Sequence, residues 1–458
     1  MRRWATAVCL FSAGAFAASA SAQDLQRLVA AAEALGARTG VAVADGAGNV
    51  LFRHRATEAF APASNMKVLT ATAVLQGLGV DHEFATVFRL RGGNLVVTAS
   101  GDPNWIRGSV HDSAAVFARV AAELRALGVR SVGAIDLDAG TFVGPGRPST
   151  WPADQLETYY CAPTGPFVLE QGTFAVRITA QEGGQASALI EAPVVDMPLR
   201  GAIAMVASAK GATYGASDRG DSVLVRGKFP RRAKPVTIRG AVADPAVWFR
   251  AALQKGLADG GITVGVAANV ADREVLVHRS DLRQAVLRML EDSSNFDAEQ
   301  CLRVLSNQRR NDGSLAGGVL AMHDQIVALL GRVPDGVVIA DGSGLSKQSR
   351  VTPGLLLTAM ARADATPVGP VLRGCLPIAG RSGTLEGRFR GSDLVGRVRA
   401  KTGWIRGASS LSGVLERRDG SVRWFSILMN YDPKQDGLNK DLKRLQEEIV
   451  QALDRTEG

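Results

Sequence analysis

Cysteine is nearly missing from this sequence, with four in 458 residues. Cys9 falls in the N-terminal leader described below, which leaves Cys161, Cys301 and Cys375, an odd set at wide spacings. Such a set is no disulfide framework. Three buried thiols are expected, with one bridge plus a free thiol as the alternative. Histidine is as sparse: His54, His82, His111, His278 and His323 are scattered without metal-ligand spacing and read as surface or satisfied core residues. Past the leader no apolar run approaches the roughly 20 residues needed to cross a bilayer, so the mature chain is expected to have no transmembrane segment. Repeats and low-complexity stretches are absent too. The formal charge of +9 loses two when Arg2 and Arg3 leave with the leader. The remaining excess reads as mild and spread along the chain without a basic block. That balance suits an anionic substrate or polymer and argues against nucleic acid.

What is present begins with MRRWATAVCLFSAGAFAASASAQ. Two arginines, an apolar stretch and the small-residue site Ala20-Ser21-Ala22 describe a cleavable secretory signal over residues 1–22 rather than a membrane span. The mature chain is expected to start at Gln23, exported and soluble. Its length is too great for one ordinary core, which predicts two or more domains.

Helical spacing runs from Asp24 to Leu35, and Thr39 to Phe52 reads as two short strands turning at Gly46-Ala47-Gly48. A helix follows in APASNMKVLTATAVLQGLG, apolar on most sides and therefore central and buried. Between about Val80 and Val275 short β-like runs punctuated by glycine predominate, interrupted by helices at Ser113 to Leu127 and Pro245 to Leu257. Helices return after that. The last third turns to three strands, GRVRAKTGW, GASSLSGVLE and SVRWFSILMN, with a hairpin turn at Asp419-Gly420, and an amphipathic helix from Asp441 to Leu453 closes the chain. The simplest account is an α/β (α+β) domain, an antiparallel sheet with flanking helices, whose early strands pair with its late ones. Residues 23–79 plus 276–458 would form it, interrupted by a β-rich inserted module over 80–275.

Three short patterns carry chemistry. Ser64 and Lys67, at i and i+3 near a helix start, can meet on one face; a buried lysine loses its charge readily and can take a serine proton. Ser293 and Asn295 sit in a break between helices, where Ser294 with Asp297 makes an N-cap and leaves its two neighbours to point elsewhere. Lys401-Thr402-Gly403 enters the first late strand, where a lysine and a hydroxyl can hold a substrate carboxylate and the glycine lets a substrate backbone approach. Each pattern alone is common, and lysine is scarce in this arginine-rich chain. The order Ser-x-x-Lys, Ser-x-Asn, Lys-Thr-Gly on helix, helix break and strand is the set found in penicillin-binding proteins and serine β-lactamases.

With PASNMK, SGDPN (Ser100 to Asn104), SSNFDAEQCL, DGSGLSKQSRVTP (Asp341 to Pro353), LPIAGRSGTLEGRF and RAKTGW, the chain resembles the D-alanyl-D-alanine carboxypeptidase/endopeptidase type of low-molecular-mass penicillin-binding protein. That group carries a large insertion between its first two motifs, as here between Lys67 and Ser293. The resemblance implies a penicillin-binding transpeptidase-like fold, no cofactor, and a periplasmic serine peptidase trimming peptidoglycan stem peptides, with β-lactams as covalent inhibitors. It makes Ser64 the acylated nucleophile, Lys67 its base, Ser293 a proton relay and Asn295 a holder of substrate or of Lys67. Lys401 and Thr402 would bind the terminal carboxylate, beside Gly403, and the amides of Ser64 and Trp404 would form the oxyanion hole. The bulky Trp404 and the segment Tyr159 to Pro163 depart from the family pattern. Two loops, Asp341-Gly-Ser-Gly and Arg381 to Thr384, are candidates to line the cleft. The rival readings are a β-lactamase or esterase on the same fold, and a non-catalytic wall-binding protein.

Overall fold

The computed structural model describes residues 20–191, 195, 197–435 and 437–455. The leader expected over 1–22 lies outside them except for its last three residues, which begin the helix Ala20–Ala34.

Strands whose central members are buried on both faces build a five-stranded antiparallel sheet in the order Val398–Ile405, Ala408–Glu416, Val422–Asn430, Arg38–Asp45, Val50–His54. The early strand pairs antiparallel with the last one, Val41 opposite Ile427. The expected union of the two chain ends is thereby made. Because side chains alternate across a strand, Val41 and Val43 enter one core and Ala42 and Ala44 the other. The first core is closed by Ala20–Ala34 and the amphipathic Leu438–Asp454, through Leu25, Val29, Ile449 and Leu453. Against the second lies the helix Met66–Leu78, buried on all sides from Met66 to Leu75. Truncating a residue such as Leu69 there would cost about 2–5 kcal/mol through the cavity it leaves. Among the described residues no single helix is long and apolar enough to cross a membrane.

After Gly79 the chain leaves this body through Glu83–Arg91 and returns through Arg273–Asp281, which pairs with it, Glu83 opposite Asp281. Exit and return are therefore neighbours in one four-stranded sheet, covered by the helices Ser113–Ala126 and Pro245–Asp259. Two three-stranded sheets extend the excursion, Val236–Ala241 with Thr173–Thr179 and Ser187–Ile190, and Tyr214–Asp218 with Val223–Pro230 and Leu199–Val206. We propose the division expected from the sequence as the domain organisation; its border near residue 276 falls inside the return strand.

Cys161, Cys301 and Cys375 are buried free thiols. The expectation of satisfied core histidines fails at His111, whose Nδ1 has no hydrogen-bond partner among the described residues, and at His278. His278 Nε2 and Asp102 Oδ2 are buried 3.9 Å apart with no hydrogen-bond partner among the described residues. Packing of the His278 ring against Trp105 takes precedence there, and burial pushes this histidine down to about 4, keeping it neutral.

Candidate active site

The nucleophile candidate sits on a strained turn. Ala63 adopts φ 48, and Ala63–Asn65 forms one 3₁₀ turn feeding straight into the helix Met66–Leu78. Ser64 is half-buried at the cleft and Lys67, three residues on, is wholly buried. Two contacts fasten this turn to the sheet: Ser410 Oγ donates to Pro62 O at 2.7 Å, and Asn65 Nδ2 donates to Lys401 O at 3.0 Å.

Lys67 Nζ lies 3.1 Å from Ser64 Oγ, 2.7 Å from Asn295 Oδ1 and 2.8 Å from Ser343 O. Two of these partners are carbonyl oxygens that can only accept. A neutral amine therefore spends its two protons on them and turns its lone pair to the serine hydroxyl. Burial lowers Lys67 to about 7, against the opposing pull of the Asp341 and Glu299 charges. The neutral form is thus well populated near neutrality.

Asn295 opens the helix Asn295–Arg310, and its orientation follows from its two partners, since Nδ2 donates to Tyr160 O at 2.9 Å. Ser294 caps that helix as expected, accepting from Asp297 N at 3.1 Å. The preceding Ser293 takes the left-handed φ of 62, which turns it out of the helix line, and it lines the cleft. Asp297 is anchored by Arg288 at 2.8 Å and by Gln171 Nε2, from the inserted module, at 2.6 Å.

Lys401, Thr402, Gly403 and Trp404 lie on the edge strand Val398–Ile405. Ala400 N donates away from the sheet to Pro377 O at 3.1 Å. By the two-residue alternation, the N–H groups of Thr402 and Trp404 leave the same free edge. Lys401 is wholly buried with its Nζ on Thr402 O at 2.9 Å, and burial followed by the Lys67 charge holds it well below the usual lysine range. Thr402 Oγ1 meets Thr384 Oγ1 at 2.8 Å, and Trp404 stands 58% exposed at the cleft mouth. The expected reason for Gly403 is corrected by this geometry. A side chain there would strike Pro62 O and Asn65 Nδ2, so the glycine admits the turn bearing Ser64 rather than a substrate backbone.

The cleft encloses about 800 Å³ and is lined by Ser64, Ser293, Asn295 and Trp404, with Tyr159, Gln171 and Arg239 contributed by the inserted module. Lys67 and Lys401 lie beneath its floor. Sequence reasoning singled out the Asp341 loop but missed its counterpart Glu299. Glu299 is one helical turn after Asn295 and accepts from Gly342 N at 3.1 Å and Ser343 N at 2.8 Å. Burial beside Asp341 pushes it up to about 8. An acid at i+4 from Asn295, on a helix otherwise facing the core, was the available signal. Both acids shape the loop that presents Ser343 O to Lys67.

The model of the D-Ala-D-Ala carboxypeptidase 3 (S13) family matches residues 21–455. A D-alanyl-D-alanine carboxypeptidase of an Actinomadura species is 30% identical over 428 residues, covering 86% of this chain and 78% of that protein. The carboxypeptidase DacB of Haemophilus influenzae is 26% identical over 392 residues, 80% of each. The crystal structure of penicillin binding protein 4 from Haemophilus influenzae superposes with a TM-score of 0.81 at 22% identity, covering 94% of this chain and 99% of that one. The same protein complexed with a β-lactam gives a TM-score of 0.76 at 21% identity.

Proposed function

The chain belongs to the D-Ala-D-Ala carboxypeptidase 3 (S13) family, and from that premise we propose that its cleft performs acyl transfer with Ser64 as nucleophile. The protein is a serine hydrolase acting on the D-Ala-D-Ala ends, and on D-Ala-containing cross-links, of peptidoglycan stem peptides. The observation that carries the assignment of Ser64 is the placement of buried Lys67 Nζ 3.1 Å from the serine hydroxyl and on two carbonyl acceptors, which suits a neutral amine to take the serine proton.

In the proposed sequence Ser64 Oγ attacks the carbonyl carbon of the penultimate D-alanine and its proton passes to Lys67. The oxyanion is held by the amides of Ser64 and Trp404, the second of which leaves a free sheet edge. As the C–N bond breaks, Ser293 relays a proton to the leaving amine, so D-alanine departs and the acyl group stays on Ser64 as an ester. Water then hydrolyses the ester, with Lys67 as base. Thr402 holds the terminal carboxylate, whose arrival favours the charged form of Lys401 beneath it; Gly403 keeps that strand pressed on the nucleophile turn, and Asn295 holds Lys67. β-Lactams acylate the same serine and leave slowly. The protein is exported to the periplasm, with its signal cleaved near Ala22.

Incubation with labelled penicillin followed by intact-mass measurement tests the assignment. One covalent adduct on the native chain and none on Ser64→Ala supports it, and identical behaviour of the two overturns it. Fast turnover of the adduct would indicate a β-lactamase instead. Mass analysis of cross-linked muropeptides separates the activities: loss of one alanine marks carboxypeptidase action, and conversion of dimers to monomers marks endopeptidase action.

A further inference from the structure

The positive charge is not spread along the chain. Residues 199–239 hold nine Lys or Arg against two Asp, a net +7, which equals the whole excess left from +9 once Arg2 and Arg3 are set aside. No run of basic residues marks this segment because its cations are separated by strand alternation and turns. In the strand Val223–Pro230, Val223, Val225 and Phe229 enter the small core, while Arg226 and Lys228 face outward and are exposed. On the neighbouring strand the register sets Ala202 beside Arg226 and Ala204 beside Lys228. The two long cations therefore rise from a flat floor of small residues.

More cations gather at one end of this face. Lys228 N donates to Thr213 O at 2.6 Å, which brings the turn carrying Lys210 alongside, and the next turn supplies Arg231, Arg232 and Lys234. Among the described residues Lys210, Lys228, Arg231, Arg232 and Lys234 form no ion pair, whereas Asp221 is engaged by Arg200 at 3.1 Å and Asp218 by Trp248 Nε1 at 2.8 Å. At its other side the face joins the catalytic cleft. Glu157, in the cleft-lining loop, is bracketed by Arg219 at 3.3 Å and Arg226 at 3.8 Å, and Arg239, the last cation of the segment, lines the cleft with Ser64.

We propose that this face is an exosite for the peptidoglycan polymer, holding the carboxylates of stem peptides neighbouring the one in the cleft. The inference rests on the wall-peptidase reading above. A polymer that repeats carboxylate-bearing peptides matches a row of separated cations, and each terminal D-alanine removed takes its carboxylate away and exposes another, so the strand keeps its charge through the reaction. Several weak contacts on one polymer raise the local concentration of uncleaved peptides at the cleft without any one of them being tight. Exposed charge pairs of this kind are screened by salt.

The test compares the native chain with the triple variant Lys228→Glu, Arg232→Glu, Lys234→Glu in co-sedimentation with purified sacculi. Expected are a loss of binding of about tenfold or more in the variant, a similar loss for the native chain in about 0.5 M salt, and loss on sacculi whose carboxylates are amidated. Penicillin acylation and cleavage of a short soluble D-Ala-D-Ala peptide should stay unchanged in the variant, which also verifies its fold. Equal sedimentation of both proteins, or binding indifferent to amidation, overturns the exosite. So does charge-dependent binding to phosphatidylglycerol vesicles without binding to sacculi, which would assign the face to a membrane. A native chain that takes up no penicillin label would instead overturn the peptidase reading, whatever the sedimentation shows.

Discussion

Lys67 Nζ donates to Asn295 Oδ1 at 2.7 Å across a separation of 228 residues, and the amide nitrogen of the same asparagine donates to Tyr160 O in the inserted module at 2.9 Å. One side chain thus ties the catalytic helix, the helix break and the insertion together. Asn295→Asp replaces the neutral acceptor with a charge that stabilises the ammonium form of Lys67, and it cannot donate to Tyr160 O. Penicillin acylation at pH 7 should fall by roughly 100-fold and recover in part above pH 9. Asn295→Ala should be slow without that alkaline recovery. Stopped-flow acylation across pH distinguishes the two variants; a parallel loss with the same pH profile would remove the electrostatic account.

The native pH profile follows from the burial of Lys67. Its pKa lies below the ordinary lysine value, at about 7, so the base is neutral above that pH and protonated below it. The acylation rate should therefore rise with pH through about 7 and fall about tenfold per unit on the acid side. A rate still climbing steeply at pH 9 to 10 would mean that the lysine retains its solution basicity.

Glu299 accepts two backbone N–H groups of the Asp341 loop, and burial beside Asp341 keeps it protonated below about 8. Glu299→Gln keeps the shape and sets an amide NH₂ against one of those donors. Leaving a buried N–H unpaired costs about 1–3 kcal/mol, which should lower the melting temperature by several degrees. The acid limb of acylation should stay in place, because Glu299, pushed up to about 8, is already neutral there. Calorimetry and the pH profile check the two effects separately.

Gly344 has φ +76, and a β-carbon there would collide with the carbonyl oxygen of Ala63, the residue before the nucleophile. Gly344→Ala removes no polar group, yet it must push the Ser64 turn away from Lys67. Acylation should drop by about 100-fold or more, since a displacement near 1 Å is enough for such a loss. Gly48, equally left-handed at φ +88 but with open space around it, is the control. Gly48→Ala should acylate at the native rate.

Much of the fold was legible in local patterns. The short, mostly apolar runs ending at Asn430 and Asp45 announced strands that do pair, and the apolar stretch after Lys67 announced a buried helix. Ser294 was readable as a cap because capping is a contact over three residues. Gly403 was misread because its reason, the approach of Pro62 and Asn65, is a packing relation between segments far apart in sequence. Glu299 went unnoticed because its i+4 spacing from Asn295 gains meaning only once the Asp341 loop packs on it.

The sequence by itself determined which reactive groups exist, the order in which the chain presents them, and which elements carry them. Those properties depend on neighbours within a turn of helix or a pair of strand residues. Only the tertiary structure decided the basicity of Lys67 and the gathering of scattered cations onto one face of the insertion. A pKa is set by desolvation and by carboxyl groups brought in from Asp341 and Glu299, and a surface potential by which side chains share a face. Both are properties of spatial neighbourhood.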